Sequence, residues 1–223
     1  VRSAPRIDTF LPGPGDLTYR KGAGTVMGYV GVIGQQEGMD LLVLAAKHLI
    51  RELGHEDVHF VIAGFGPQLE EVRQDAENHG LSAYFTFTGP LYGPELLAAL
   101  NAIDIGVSPD PKNAMNDIST MNKVMEYMTL KKPMVQFDLT EGRVSAGDAS
   151  LYARANDPVD FAQKIADLIW KTCHGRIPRH SCWRPMTGFL PRNASRGRPA
   201  LKRFGKYLNH LFAAFRLRLK REK

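Results

Sequence analysis

The chain of 223 residues has little cysteine, no long apolar run and almost no acid in its last quarter. Its two cysteines, Cys173 and Cys182, are too few for a disulfide framework, so we expect a reducing compartment. The apolar run at 41–46 stops at Lys47, well short of the roughly 18 residues that span a bilayer. These absences predict a cytoplasmic protein without a membrane-spanning helix.

Several common cofactor motifs are also absent. The first glycine-rich turn, Gly31, Gly34 and Gly38, lacks the dinucleotide fingerprint spacing, and no P-loop Lys-Ser/Thr follows it. The histidines before residue 80 show no ligand spacing, and the C-H-x5-H-x-C pattern near the C-terminus matches no zinc site. A dehydrogenase, a P-loop NTPase and a metal centre are therefore disfavoured.

Charge divides the chain into two parts. Residues 1–169 carry 14 Lys and Arg against 22 Asp and Glu, whereas residues 170–223 carry 15 against one, Glu222. The formal net charge of +6 is therefore a property of the C-terminal segment alone. We expect 170–223 to be a basic tail, separate from the domain that precedes it.

Three interpretations of this tail remain open. Apolar residues recur at helical spacing between 201 and 219 among basic ones, which is typical of a helix on an anionic membrane surface at the inner face. The segment is alternatively a disordered native extension, or the product of a reading-frame shift. Binding of nucleic acid has no motif behind it.

Between residues 25 and 169 short apolar runs alternate with amphipathic stretches. We predict strands at 26–32, 58–63, 84–88, 103–107, 133–137 and 150–153, and helices at 40–53, 68–79, 94–102, 119–130 and 158–169. This alternation predicts an α/β fold, a Rossmann-like parallel sheet with helices on both faces. Residues 1–24, rich in Pro and Gly, are typical of a linker.

Ligands of such sheets bind outside the carboxyl ends of the strands. Glycines lie at two successive strand ends, in the turn that contains Gly34 and in the turn from Gly64 to Gly66. Glycine lets a backbone approach a phosphate closely, and a helix N-terminus favours its charge. A tight turn without a ligand explains each of them equally well.

The helix predicted at 119–130 combines a cation with a carboxylate. Asn122 and Glu126 share one face at i, i+4, Lys123 lies near the helix start, and Asp117 or Ser119 is placed to cap it. A carboxylate there is able to accept hydrogen bonds from ribose hydroxyls, and a lysine to reach a diphosphate. The alternative is an ordinary surface pair of Lys123 and Glu126.

The order of these motifs resembles the C-terminal domain of family 4 retaining glycosyltransferases of the GT-B fold. The shared features are EG-D-LL-AA after the first turn, then AG-GP, FTG, L--ALNAIDIGVSP, STMNKVMEYMTLKKPMVQFD and DP-DFAQKI. The 119–138 run is most similar to bacterial polysaccharide transferases. The resemblance covers about 1–169, and it implies that 1–24 is an interdomain linker whose acceptor-binding N-terminal domain is missing.

The resemblance implies a UDP- or GDP-sugar donor, a glycan or lipid-linked acceptor, retention at the anomeric carbon and no metal. Glu126 takes the place of the ribose-binding carboxylate, and Lys123 that of a cation for the departing diphosphate. Gly64 and Gly66 would admit the base, Asn122 would line the site, and Asp110 and Asp117 would face the sugar.

The chain also departs from the family pattern. The first Glu of the family's E-x7-E motif falls at Ile118, so its role passes to Asp117. Many members of the family hold the diphosphate with an Arg and a Lys near the first glycine turn, and this chain has Val32 and Glu37 at those positions. The N–H groups of Ile33 and Gly34 and the Lys123 cation would then neutralise the diphosphate. Two other hypotheses stay open: a nucleotide-sugar epimerase of GT-B fold, and a non-catalytic flavodoxin-like binding module.

Overall fold

The computed structural model describes residues 10–173. Six strands alternate with helices in this range. The strands are β1 (Thr25–Val32), β2 (Val58–Phe65), β3 (Phe85–Gly89), β4 (Ile105–Ser108), β5 (Met134–Phe137) and β6 (Ser150–Ala153). The helices are α1 (Met39–Lys47, continued by a π-helical turn at His48–Glu52), α2 (Leu69–Asn78), α3 (Gly93–Ala102), α4 (Asn122–Thr129), α5 (Thr140–Ala146) and α6 (Pro158–Cys173). The basic tail from residue 174 onward, with Cys182, lies outside the described residues, as do residues 1–9.

The six strands form one parallel sheet in the order β3-β2-β1-β4-β5-β6. The chain runs outward from β1 to β3 and then returns to the other side of β1 with β4. Strand order therefore reverses between β1 and β4, and the connections after these two strands diverge there. In open α/β sheets this switch point is where ligands bind.

Apolar residues cover both faces of the sheet, as the sequence predicts. One layer packs α1, α2 and α6 against side chains such as Met27, Phe60 and Phe137. The opposite layer packs α3, α4 and α5 against residues that include Val26 and Met134. Because β1, β2, β4 and β5 are buried along most of their length, their near-continuous apolar sequence follows from this sandwiching.

The structure corrects two predicted helix boundaries. α4 begins at Asn122 rather than 119, because the backbone at Ser119 and Met121 is extended and a separate 3-10 turn occupies Asn116–Ile118. α6 continues to Cys173, four residues past its predicted end. Helix α5 has no counterpart in the prediction. None of the helices within residues 10–173 is both long and apolar enough to cross a membrane.

The described part of the predicted linker packs on the domain. Asp16 N–H donates to Ala98 O over 3.1 Å, and a 3-10 turn follows at Leu17–Arg20. The Arg20 guanidinium binds the Asp104 carboxylate at 2.8 Å and donates to Ala102 O at 3.0 Å. Residues 10–24 are thus attached to α3 and to the start of β4.

Candidate functional site

The β1–α1 turn packs closely against the end of β2. The N–H of Ile33 donates to Phe65 O at 2.9 Å, and Ile33 O accepts from Gln68 N–H at 3.0 Å. A Cβ on Gly64 would overlap Gly31 O, and one on Gly66 would overlap Ile33 O. Gly64 and Gly66 therefore serve first to let two backbone segments touch.

These contacts correct one predicted role. Ile33 was expected to offer its N–H to a diphosphate, but the group is already bonded within the sheet edge and the residue is fully buried. Its side chain belongs to the core that anchors the turn. Ile33 therefore holds the turn in place instead of donating to a ligand.

The N–H of Gly34 is also occupied in the structure. It donates to Glu37 Oε2 at 3.1 Å, while Glu37 N–H donates back to Gly34 O at 3.2 Å. A Cβ on Gly34 would lie only 2.9 Å from the same carboxylate oxygen, so glycine makes room for this contact. The second N–H predicted for the diphosphate thus already binds an anionic group of the protein.

The long β4–α4 connection is tied to the first turn by a buried asparagine. Asn116, 2% exposed, donates through Nδ2 to Gln36 O at 2.8 Å and to Pro111 O at 2.9 Å. Sequence reasoning overlooked Asn116, since one asparagine in a polar loop carries no periodic signal. Its contacts join the two connections that diverge at the switch point.

Lys123 is a buried member of an ion pair. Its Nζ lies 2.7 Å from Asp110 Oδ1, and the two side chains are 8% and 2% exposed. Asp110 Oδ2 accepts from Ser108 Oγ, and the ammonium lies 5.0 Å from the centre of the Tyr29 ring. Asp110 therefore neutralises Lys123, and its carboxylate, which the sequence predicts to face the sugar, is engaged by Lys123 and Ser108.

Glu126 is the carboxylate on α4 that stays free of such pairing. Tyr127 beside it fixes the helix to the sheet through hydrogen bonds from its hydroxyl to Gly28 O and Val107 O. Burial raises the pKa of the half-buried Glu126 carboxyl above its ordinary value, and the nearby Lys123 ammonium offsets only part of this rise. Within residues 10–173 the Glu126 carboxylate has no hydrogen-bond partner. Asn122, on the same helix face, is exposed.

Asp117 is engaged elsewhere in the structure. Its carboxylate accepts from Thr140 N–H at 2.8 Å and from Thr140 Oγ1 at 2.9 Å, and it lies 3.3 Å from Lys112 Nζ. The Thr140 hydrogen bonds hold the pKa of Asp117 below its usual value. The aspartate thus caps α5 rather than α4, which corrects its predicted capping role and leaves its carboxylate committed.

Within residues 10–173, no group of three or more His, Cys, Asp or Glu residues is arranged to hold a metal ion. The cations around the carboxyl edge are paired with carboxylates: Lys123 with Asp110, Lys112 with Asp117, and Arg143 with Asp138. The carboxylates of Glu126 and Glu37 form no ion pair among the described residues. The arrangement is therefore rich in hydrogen-bond acceptors for hydroxyl groups.

The fold and this edge define a Rossmann-like α/β domain with a polar site at its switch point. The family model described as glycosyl transferases group 1 matches residues 24–170. The chain belongs to this family, and its fold is that of the C-terminal domain of GT-B glycosyltransferases.

Two relatives are glycosyltransferases of Streptomyces. The 2-deoxystreptamine N-acetyl-D-glucosaminyltransferase of Streptomyces fradiae is 32% identical over 146 residues, which are 65% of this chain and 34% of that protein. The 2-deoxystreptamine glucosyltransferase of Streptomyces kanamyceticus is 34% identical over 151 residues, or 66% of this chain and 36% of that protein. The chain spans about a third of the length of these relatives.

Solved structures share the fold at low sequence identity. The C-terminal domain of a group 1 glycosyl transferase, LpcC of Francisella tularensis, superposes with a TM-score of 0.63 at 16% identity, covering 82% of this chain and 94% of that one. Anabaena Alr3699/HepE, solved with UDP-glucose, has a TM-score of 0.59 at 18% identity, covering 76% and 47%.

Proposed function

We propose that this chain is the donor half of a family 4 retaining glycosyltransferase. It would bind a UDP- or GDP-sugar at the switch point, and the sugar would pass with retention, and without a metal, to a glycan or lipid-linked acceptor. A separate acceptor-binding domain would complete the cleft. The observation that carries the proposal is Glu126, a half-buried carboxylate without a hydrogen-bond partner among residues 10–173, on a helix anchored to the sheet.

Glu126 is suited to hold a ribose. A carboxylate accepts hydrogen bonds from two hydroxyls at once, and partial burial strengthens those bonds because little water competes. Asn122, one turn earlier on the same face, would add an amide donor and acceptor. Tyr127 and Val124 hold α4 against the sheet, so both side chains are presented from a rigid support.

The charge of the departing diphosphate must be met by protein dipoles and cations when no metal is present. Lys123 is the buried cation of this edge, but Asp110 already shares its charge. Its role in this proposal is to fix the β4–α4 connection beneath the donor and to supply part of the stabilising field. Cations of the acceptor-binding domain would supply the rest.

The relatives support the same class of reaction. Both named Streptomyces proteins transfer a sugar to 2-deoxystreptamine, and the Anabaena protein was solved with UDP-glucose. We take the donor class from these likenesses and leave the acceptor open to glycans and lipid-linked sugars. A lipid-linked acceptor would bring the protein to the inner face of the membrane.

Isothermal titration of the chain with UDP, GDP and their glucose and N-acetylglucosamine conjugates tests the proposal. We expect binding of one nucleotide family, weakened by Glu126→Gln and unaffected by Glu56→Gln, a change at the opposite edge of the sheet. A folded chain that binds none of these ligands would refute it in favour of a flavodoxin-like module. Interconversion of UDP-N-acetylglucosamine and its C2 epimer would favour the epimerase.

A further inference from the structure

The Glu37 carboxylate lies where the donor phosphates are expected, and this inference rests on the proposed function. Its Oε2 is 3.1 Å from Gly34 N and would lie 2.9 Å from a Cβ at Gly34, so the carboxylate sits directly beside this glycine. Backbone N–H groups at such a turn are the usual binding groups for phosphate. In this chain the N–H is held by an acid three residues later in the sequence.

Other groups at this edge leave Glu37 without compensation. The Ile33 N–H is used by Phe65 O, and the Lys123 ammonium by Asp110. The neighbouring Val32 side chain is apolar and 52% exposed. An incoming diphosphate that approached the Gly34 N–H would therefore meet a carboxylate that has no paired cation among residues 10–173.

The contact is able to open without unfolding the domain. Glu37 lies in a short 3-10 turn and is only partly buried, and its carboxylate makes no ion pair among residues 10–173. The backbone below it is fixed independently, because Gln36 O accepts from Asn116 and Gly38 packs on Pro109. Rotation of one side chain would expose the Gly34 N–H while the turn keeps its shape.

We propose that Glu37 is an internal competitor of the donor diphosphate and sets the donor affinity of this domain. In the free protein its carboxylate occupies the Gly34 N–H, and it swings outward when the phosphates bind. The like charge remains near the bound phosphates and opposes them. Weak donor affinity is therefore built into the turn by one acidic side chain.

Charge-altering variants at this position test the inference. We expect Glu37→Gln to bind UDP or GDP about tenfold more tightly, since it removes one like charge at close range, and Glu37→Lys to bind more tightly still. The gain should be absent for uridine or guanosine, which carry no phosphate. Glu56→Gln, an equal charge change at the opposite sheet edge, should leave all affinities unchanged.

A direct readout of the contact is the Gly34 amide resonance. It should move in Glu37→Gln relative to the wild type, because the variant loses the charged acceptor of the Gly34 N–H. Thermal unfolding shows that each variant is folded before it is titrated. If the chemical shift of the Gly34 amide is the same in the wild type and in Glu37→Gln, the inference is overturned.

The binding outcomes separate this inference from the proposed function. Nucleotide binding by the wild type with no gain in Glu37→Gln or Glu37→Lys overturns only the inference. Binding by the variants alone supports the inference and overturns donor binding by the wild type. No binding by any folded form overturns both. An equal gain in affinity for nucleosides and for nucleoside diphosphates overturns the inference, because Glu37 would then act on the shape of the site and not on the phosphate charge.

Discussion

At the residue scale, the two charged side chains of α4 have different environments one turn apart. Lys123 is buried and paired with Asp110, whereas Glu126 is half-buried and lacks a hydrogen-bond partner among the described residues. An unpaired, partly desolvated carboxylate costs stability and is worth keeping only if something else binds it. That contrast separates a lysine committed to the fold from a glutamate that is available to a ligand.

Glu126→Gln should trade affinity for stability. Burial raises the pKa of Glu126 in the folded chain, so its ionisation opposes folding once the pH exceeds the ordinary pKa of a glutamate. The neutral variant should therefore have a larger free energy of unfolding at pH 7, and this advantage should shrink as the pH falls toward that ordinary value. Urea unfolding at several pH values measures this.

Glu126→Gln should also lower the affinity for the nucleotide by a factor of about ten, because hydrogen bonds to a charged acceptor are lost. Titration calorimetry supplies that number. A variant that is less stable at pH 7 and binds as well as the wild type would assign Glu126 to the fold alone.

Lys123→Met should destabilise the domain by about 3–5 kcal/mol, because it leaves the Asp110 carboxylate buried without its partner. Lys123→Met combined with Asp110→Asn should recover much of the loss. Urea unfolding of the single and double variants gives the coupling energy.

The exposed pair Arg154 and Asp157 is the matched control, where removal of the arginine should cost under about 1 kcal/mol. If the losses of unfolding free energy in the Lys123 and Asp110 single variants simply add in the double variant, the two residues are not coupled.

Sequence reasoning placed Lys123 and Glu126 on the correct helix but could not find their partners. Asp110 is 13 residues from Lys123 and reaches it through a connection whose path has no periodic signal. The same holds for Asp117, whose bond to Thr140 spans 23 residues. Local spacing shows which side chains share a face, whereas pairing across loops depends on the finished packing.

At the element scale, the connections after β1 and β4 form one braced unit. Asn116 links them, and glycines let the β1 and β2 turns touch. Helix α5, with Gly142 in its interior, has little helix propensity of its own. It was missed from sequence because its stability comes from Asp117 at its start and from packing of Ala146 on the core.

Asn116→Ala should destabilise the domain by about 1–3 kcal/mol, because Gln36 O and Pro111 O lose their shared donor in a buried place. Hydrogen exchange should quicken in 111–121 and at Gln36 more than elsewhere. Asn122→Ala, at an exposed position of α4, should change stability by less than about 0.5 kcal/mol. Equal effects of the two variants on stability would show that Asn116 does not hold the two connections together.

Gly64→Ala should cost about 3 kcal/mol or more, because its Cβ would overlap Gly31 O between two paired strands. Gly13→Ala, whose added Cβ would make only an ordinary van der Waals contact with Leu11 O, should be tolerated within about 0.5 kcal/mol. Chemical denaturation compares them. A tolerated Gly64→Ala would mean that the β1 and β2 turns are able to separate.

At the scale of the whole molecule, the alternation of apolar strands and amphipathic helices was enough to predict the α/β class and the covered sheet. The strand order brings the β1 and β4 connections together at one edge, so the predicted motifs lie where ligands of such folds bind. The state of each donor and acceptor at that edge could not be predicted. Ile33 and Gly34 carry N–H groups in the expected turn, yet both are bonded within the protein.

The central claim is that a nucleotide sugar binds at the switch point of this sheet. Amide chemical shifts recorded during titration of the chain with UDP or GDP locate the binding site directly. We predict shifts concentrated in residues 31–38, 64–67 and 122–126, with the amino edge near Glu56 unchanged. Shifts confined to the amino edge, or no shift at millimolar nucleotide with a folded protein, would contradict the claim.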